Sequence, residues 1–178
     1  GKSTQFSLLK QRLENDGEKV ASHHFPSYNT YQGKPVEEYL HGTFGKPSEL
    51  SPYFVNALYA EDRAITWLTE LKQKYEAGEI LVLDRYTTSS LIYQSALITD
   101  IEEKKAFIDY VCEFEYEKMG IGKPDDVIFL HAPFDLVTEM RNARKQNDVV
   151  ANDIHERDLE FMKRVYESAM FVAEYLGW

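Results

Sequence analysis

The chain has 178 residues, 43% of them hydrophobic, which suits one domain with a sizeable core. A net charge of −10 argues against a nucleic-acid or anionic-membrane surface, since both demand clustered Lys and Arg, whereas a small phosphorylated ligand needs only a few local cations. The single cysteine, Cys112, excludes an internal disulfide and reads as a small buried hydrophobe; no apolar run approaches the ~20 residues of a membrane-spanning helix, and cytoplasm is the expected location.

The chain opens with Gly1-Lys2-Ser3-Thr4, the closing half of a phosphate-binding loop. In the full pattern a strand leads into G-x-x-x-x-G-K-[ST] and a helix. Backbone N–H groups then cradle phosphate, while lysine and hydroxyl hold phosphate oxygens and Mg²⁺. The strand and first glycine are expected upstream of Gly1. Without that strand, residues 1–178 alone are expected to show little turnover, because a central strand of a parallel sheet is not a dispensable edge. From Ser3 to about Glu14, Phe6, Leu8, Leu9 and Leu13 follow helical spacing, ended by Asn15-Asp16-Gly17. Lys19 to Phe25 reads as a strand that Pro26 stops.

A Gly-, Pro- and Tyr-rich stretch runs to Pro47, with a short helix around Val36 to Leu40. Ser51-Pro52 is an N-cap followed by proline at the first helical position, opening a long helix that Gly78 closes. Glu79 to Asp84 is apolar without alternation, the mark of a parallel strand buried on both faces. Helices follow at about Thr88 to Leu97 and Glu102 to Met119, then a loop from Gly120 to Pro124 and a third strand, Asp126 to Leu130. Phe134 to Arg144 is helical, residues 141–156 form a candidate lid, and Asp153 with Glu156 starts a last helix in the manner of a capping box. Strand–helix alternation without repeats predicts one α/β domain, a parallel sheet flanked by helices.

In an open parallel sheet, ligands bind beyond the carboxyl ends of the strands. Phe25-Pro26, Asp84-Arg85 and His131-Ala132-Pro133 occupy those places. Asp84 suits Mg²⁺ held through water, and Arg85 suits bidentate grip on a phosphate, although a structural ion pair gives the same two residues. Ser89 and Tyr93, one helical turn apart with Gln94 alongside, suit a base pocket. Tyr59 and Arg63 are a ring and a guanidinium at i, i+4, either stacking on and donating to a planar base or serving as a core tyrosine with a snorkelling arginine. Arg141 and Arg144 reach transferring phosphates or simply cap a helix C-terminus. His23 and His24 read as packing side chains.

Taken together, Gly1-Lys2-Ser3-Thr4-Gln5, Phe25-Pro26 with Gly33, Ala60-Glu61-Asp62-Arg63, Asp84-Arg85-Tyr86-Thr87-Thr88-Ser89, Tyr93-Gln94 and Asp153-Ile154-His155-Glu156 resemble thymidylate kinase, from Gly1 to Trp178. The resemblance implies a P-loop nucleoside monophosphate kinase fold that uses ATP and Mg²⁺, typically as a homodimer. Gly1, Lys2, Ser3 and Thr4 would bind ATP, with Ser3 and Asp84 serving the metal. Phe25, Pro26, Tyr59, Arg63, Arg85, Ser89, Tyr93 and Gln94 would bind thymidine monophosphate (dTMP). Lys2, Arg85, Arg141 and Arg144 would act on the transferring phosphate. Many relatives place an arginine after the Phe-Pro pair, where this chain has Ser27-Tyr28. The family's final strand and adenine-contacting loop would lie beyond Trp178.

An acceptor that is already a phosphate, with a second pKa of about 6, needs no general base. A deoxynucleoside kinase must instead deprotonate a sugar hydroxyl, and no acid follows Phe25. A non-catalytic ATP-binding module would keep Lys2 and Ser3 but lose the acceptor pocket. The monophosphate kinase ranks first.

Overall fold

The computed structural model describes residues 1–145 and 159–178, with the backbone alone for 141–145. The capping box at Asp153 and Glu156, and most of the candidate lid, lie outside the described residues. Helix α1 (Lys2–Asn15) leads to strand β1 (Val20–His24), followed by α2 (Lys34–His41) and α3 (Pro52–Thr66). A π-helical turn, Trp67–Leu71, carries α3 into α4 (Lys72–Glu76) and on to β2 (Ile80–Asp84). Then come α5 (Thr87–Tyr93), α6 (Ile101–Cys112), α7 (Phe134–Lys145) and α8 (Leu159–Leu176).

The start and stop signals act largely as their chemistry dictates. Gly17 at φ +90° ends the α1 region and Gly78 at φ +81° ends the α3–α4 run, conformations that cost glycine little. Pro52 sits in the first turn of α3, but Ser51 makes no side-chain cap; the side chain that does cap is Asp100, which accepts from the Glu102 and Glu103 amides. The expected helix from Glu102 to Met119 forms as α6 followed by a second π-helical stretch, Glu113–Lys118, which turns Glu115 inward to full burial.

β1 and β2 pair in parallel, Val20 opposite Ile80 through His24 opposite Asp84. Among the described residues this is the whole sheet, and it corrects two expectations. Asp126 to Leu130 is not a strand: among the described residues no strand pairs with β2 on the edge away from β1, so the segment joins no ladder, and Ile128 and Leu130 stay 69% and 50% exposed. For the same reason β2 is half-buried rather than buried on both faces, with Asp84 alone fully inside. Likewise α1 packs on both strands, yet none of its residues is buried.

The core lies in helix contacts. Phe25, Trp67, Leu71, Tyr86 and Ile121 join the sheet to the α3–α4 run, and Leu91, Phe107, Ile108, Val111 and Val172 join α5, α6 and α8. Cys112 is half-buried at the edge of the second cluster. Burial first, then Asp109, pushes its thiol up to about 11, so at pH 8 the reactive thiolate is scarce. Alkylation by iodoacetamide, followed by mass spectrometry, is expected to run at least about tenfold slower than for a free thiol of ordinary pKa. Equal rates would show the sulfur to be open to solvent. Among the described residues, no helix is long and apolar enough to cross a membrane.

Candidate active site

The site is assembled where β1 and β2 end. His24 stands opposite Asp84 in the sheet register, and α1 begins beside them. Lys2 Nζ, from the first turn of α1, pairs with Asp84 Oδ1. Asp84 Oδ2 lies 3.1 Å from His24 Nδ1. The neighbours Asp84 and Arg85 therefore do not form the structural ion pair weighed from sequence. Asp84 faces Lys2 and His24, while Arg85 turns away to stand over the Tyr93 ring, 5.5 Å from its centroid. Lys2 is half-exposed; burial first, then the Arg85 charge, push its ammonium down to about 8. Two cations held this close are the arrangement that an incoming polyanion relieves.

Arg85 itself sits at φ +66°, a left-handed backbone conformation that costs a side-chain-bearing residue about 1–2 kcal/mol. That twist turns the chain out of β2 so that Arg85 faces the cleft while Tyr86 turns inward to pack on Phe25, with ring centroids 5.7 Å apart, and to donate to the Gly122 carbonyl at 3.0 Å.

One pocket opens beside this junction. It is lined by Phe25, Pro26, Tyr28, Leu40, Tyr59, Arg63, Arg85, Tyr86, Ser89, Ser90, Tyr93, Gln94 and Met162. Every residue assigned from sequence to the acceptor subsite is present: Phe25, Pro26, Tyr59, Arg63, Arg85, Ser89, Tyr93 and Gln94. They come from β1's exit loop, α3, β2's exit and α5, with Met162 of α8 closing one side. No carboxylate lines the pocket among the described residues. Tyr59 is half-buried, edge-on to Tyr39 at 6.2 Å. Gln94 is 2% exposed, and its Oε1 has no hydrogen-bond partner.

The β1 exit loop is fixed by polar groups beneath it. The Phe25–Pro26 peptide is cis. The Ser27 amide donates to the buried Asp62 carboxylate at 2.8 Å, and Ser27 Oγ meets Thr66 and His23 at 3.1 and 2.9 Å. Further on, Thr30 Oγ1 donates to the Ser27 carbonyl at 2.6 Å and accepts from the Gly33 amide at 3.1 Å. The turn is so tight that a Cβ on Gly33 would lie 2.1 Å from the Ser27 carbonyl oxygen. This closeness explains a glycine at that position, and it aims Tyr28 at the pocket.

Arg63 lines the pocket and departs from the snorkelling reading of the Tyr59–Arg63 pair. It is 1% exposed and does not snorkel; Nε and Nη2 donate to Glu115 at 2.6 and 2.7 Å, and Nη2 also to Ser90 at 2.9 Å. Thr87 donates to the same carboxylate at 2.8 Å. Glu115, Ser90 and Met162 carried no local signal in sequence, because the partner of each lies in a distant segment. His24 was read as packing and instead reaches Asp84. At the other end of the site, Met140 of α7 comes within 3.6 Å of where a Gly1 Cβ would stand, so α7 approaches the start of α1. Arg141 and Arg144 lie in that helix, but their side chains are outside the described residues. Ser3 and Thr4 occupy the exposed first turn of α1, with Thr4 Oγ1 accepting from the Gly1 nitrogen at 3.3 Å.

Comparison with known proteins meets this geometry from outside. The family model for thymidylate kinase matches residues 1–177. The thymidylate kinase of Mycobacterium tuberculosis (strain CDC 1551 / Oshkosh) is 31% identical over 168 residues, covering 92% of this chain and 76% of that protein. The thymidylate kinases of Exiguobacterium sp. and Danio rerio are each 29% identical, over 93% and 92% of this chain and 72% of their own lengths. With Gly1-Lys2-Ser3-Thr4 at the start of α1, Asp84-Arg85 at the end of β2 and the pocket beside them, and with the family model matching residues 1–177, the chain belongs to the thymidylate kinase family.

Proposed function

We propose that this protein transfers the γ-phosphoryl group of ATP to the phosphate of dTMP. The observation that carries the reading is the convergence of Arg85, Tyr59, Arg63, Ser89, Tyr93 and Gln94 on one pocket, near the Lys2–Asp84 pair, that no carboxylate lines among the described residues. A phosphate acceptor needs positioning and charge neutralisation rather than a base, and the lining supplies cations and hydroxyls. The lack of a pocket carboxylate among the described residues favours it over a deoxynucleoside kinase.

In this reading Arg85 grips the acceptor phosphate and Tyr59 stacks on the pyrimidine. Arg63, locked by Glu115, donates to a base carbonyl, while Ser89, Tyr93 and Gln94 complete the nucleoside subsite against Phe25 and Pro26. Gly1, Lys2, Ser3 and Thr4 hold the ATP phosphates at the α1 N-terminus. Tyr28 supplies a hydroxyl where many relatives carry an arginine.

Ser3 and Asp84 are the residues that would hold Mg²⁺. The donor set suits it: a hydroxyl and a carboxylate are the hard oxygen donors Mg²⁺ takes, and such an ion would draw its remaining oxygens from phosphates and water. Bound there, the ion neutralises charge on the phosphate chain. Arg141 and Arg144 extend the positive field from α7 in the role of lid arginines, and the approach of α7 to Gly1 supports this.

We extend the proposal to a cytoplasmic homodimer. The support for the dimer is the row of half-exposed rings Tyr53, Phe54 and Tyr110 on α3 and α6. Light scattering at micromolar concentration checks it, and a monomer overturns it.

Assaying the full-length protein with ATP and each nucleoside monophosphate tests the activity. ADP formation is expected to be fastest with dTMP, with thymidine itself inert. Deoxyuridylate should trail by about 10- to 200-fold at most, the worth of one methyl group in a pocket. Phosphorylation of thymidine would transfer the protein to the nucleoside kinases. ATP binding without transfer to any acceptor would make it a binding module.

A further inference from the structure

His24 is the feature that the proposed chemistry leaves unused. It ends β1, half-exposed at 48%, with Asp84 directly opposite in the register. Its Nδ1 is 3.1 Å from Asp84 Oδ2, and its ring stacks on Tyr28, centroids 6.2 Å apart and 24° between planes. Asp84 is 8% exposed, and among the described residues His24 is the hydrogen-bond partner of Oδ2. A carboxylate can only accept, so the contact requires the proton on Nδ1. Free histidine side chains favour the proton on Nε2, so the pairing selects the less common tautomer.

We propose that His24 is a positioning residue: its Nδ1–H holds one oxygen of Asp84 in place at the phosphate-facing end of the sheet, leaving the other to Lys2. Tyr28 braces the opposite side of the ring, so one imidazole links the Lys2–Asp84 pair to the wall of the acceptor pocket. A half-exposed contact of this kind contributes little to folding. Its consequence lies in geometry. Without His24, the Asp84 carboxylate keeps Lys2 as its partner among the described residues, and a flexible ammonium fixes a carboxylate poorly once phosphate competes for it.

The kinetic arm of the test rests on the kinase reading above; the spectroscopic arm does not. Nitrogen-15 NMR of the imidazole rings in the full-length protein at pH 8 is expected to show His24 as the Nδ1–H tautomer, reverting to Nε2–H in Asp84→Ala. His24→Leu is expected to lower kcat about 10- to 100-fold, as loss of an outer-shell partner does, with the KM for dTMP unchanged. His24→Asn carries an amide N–H where Nδ1–H stands and is expected to stay within about threefold of the parent rate. An Nε2–H tautomer in the parent protein overturns the proposal, as does a His24→Leu rate equal to the parent's or a folded His24→Asn as slow as His24→Leu. Where His24→Leu fails to fold, the tautomer and the asparagine rate decide. If the parent protein phosphorylates no monophosphate, the kinase reading fails and the tautomer alone decides.

Discussion

Glu115→Ala is expected to destabilise the protein by about 3–5 kcal/mol, the cost of stranding a buried charge. Glu115 is fully buried, and both carboxylate oxygens are used: Oε1 by Arg63 Nη2, and Oε2 by Arg63 Nε and Thr87. Removing it leaves a guanidinium at 1% exposure with Ser90 as its remaining partner. Urea unfolding should show the midpoint falling with little change in slope. The double replacement Arg63→Met with Glu115→Leu is expected to recover most of the loss, since exchanging a whole buried ion pair for apolar groups of similar volume is often neutral or better. That double variant should nonetheless bind dTMP poorly, because the pocket then lacks the donor-only group at the base edge. If Glu115→Ala lost under about 1 kcal/mol, water would have to enter the site and solvate Arg63. Recovery of stability without recovery of nucleotide binding would separate what the pair does for the fold from what it does for the ligand.

This pair also marks where reading the sequence stops. Helices and strands are local phenomena, and their signals are local: the apolar spacing of α1, Pro52 opening α3, Gly78 closing α4, and the uniform apolar run before Asp84 all act within a few residues. The rule that ligands gather at strand ends then places Phe25-Pro26 and Asp84-Arg85 together without coordinates. The Tyr59–Arg63 spacing shows a shared helix face but not what that face meets. Glu115 lies in a segment 52 residues further on and is turned inward by a π-helical stretch that no periodicity announces. His24 is a similar case, since its partner becomes visible only once the register of β1 against β2 is known. Asp126 to Leu130 fails in the opposite direction. Its composition is strand-like, but a strand is made by its neighbour, and among the described residues it has none.

Arg85→Ala is expected to lower kcat/KM for dTMP by roughly 10² to 10⁴, several kcal/mol of transition-state stabilisation. The guanidinium stands at the β2 exit, steadied over Tyr93, and within electrostatic range of Lys2. A fork of donors there can bind two oxygens of one phosphate at once, which a lysine cannot, so Arg85→Lys should recover only part of the loss. The backbone separates this role from a structural one. At φ +66° any side chain carries strain that glycine does not, so Arg85→Gly is expected to be more stable than Arg85→Ala by about 1 kcal/mol, yet equally slow. A conformation retained against that strain is held for what it aims, and here it aims a cation into the pocket. Thermal melts and steady-state rates on the three variants give the answer. If the rate falls less than about threefold in Arg85→Ala, the phosphate must be held elsewhere, and Tyr28 with the α7 arginines becomes the place to look.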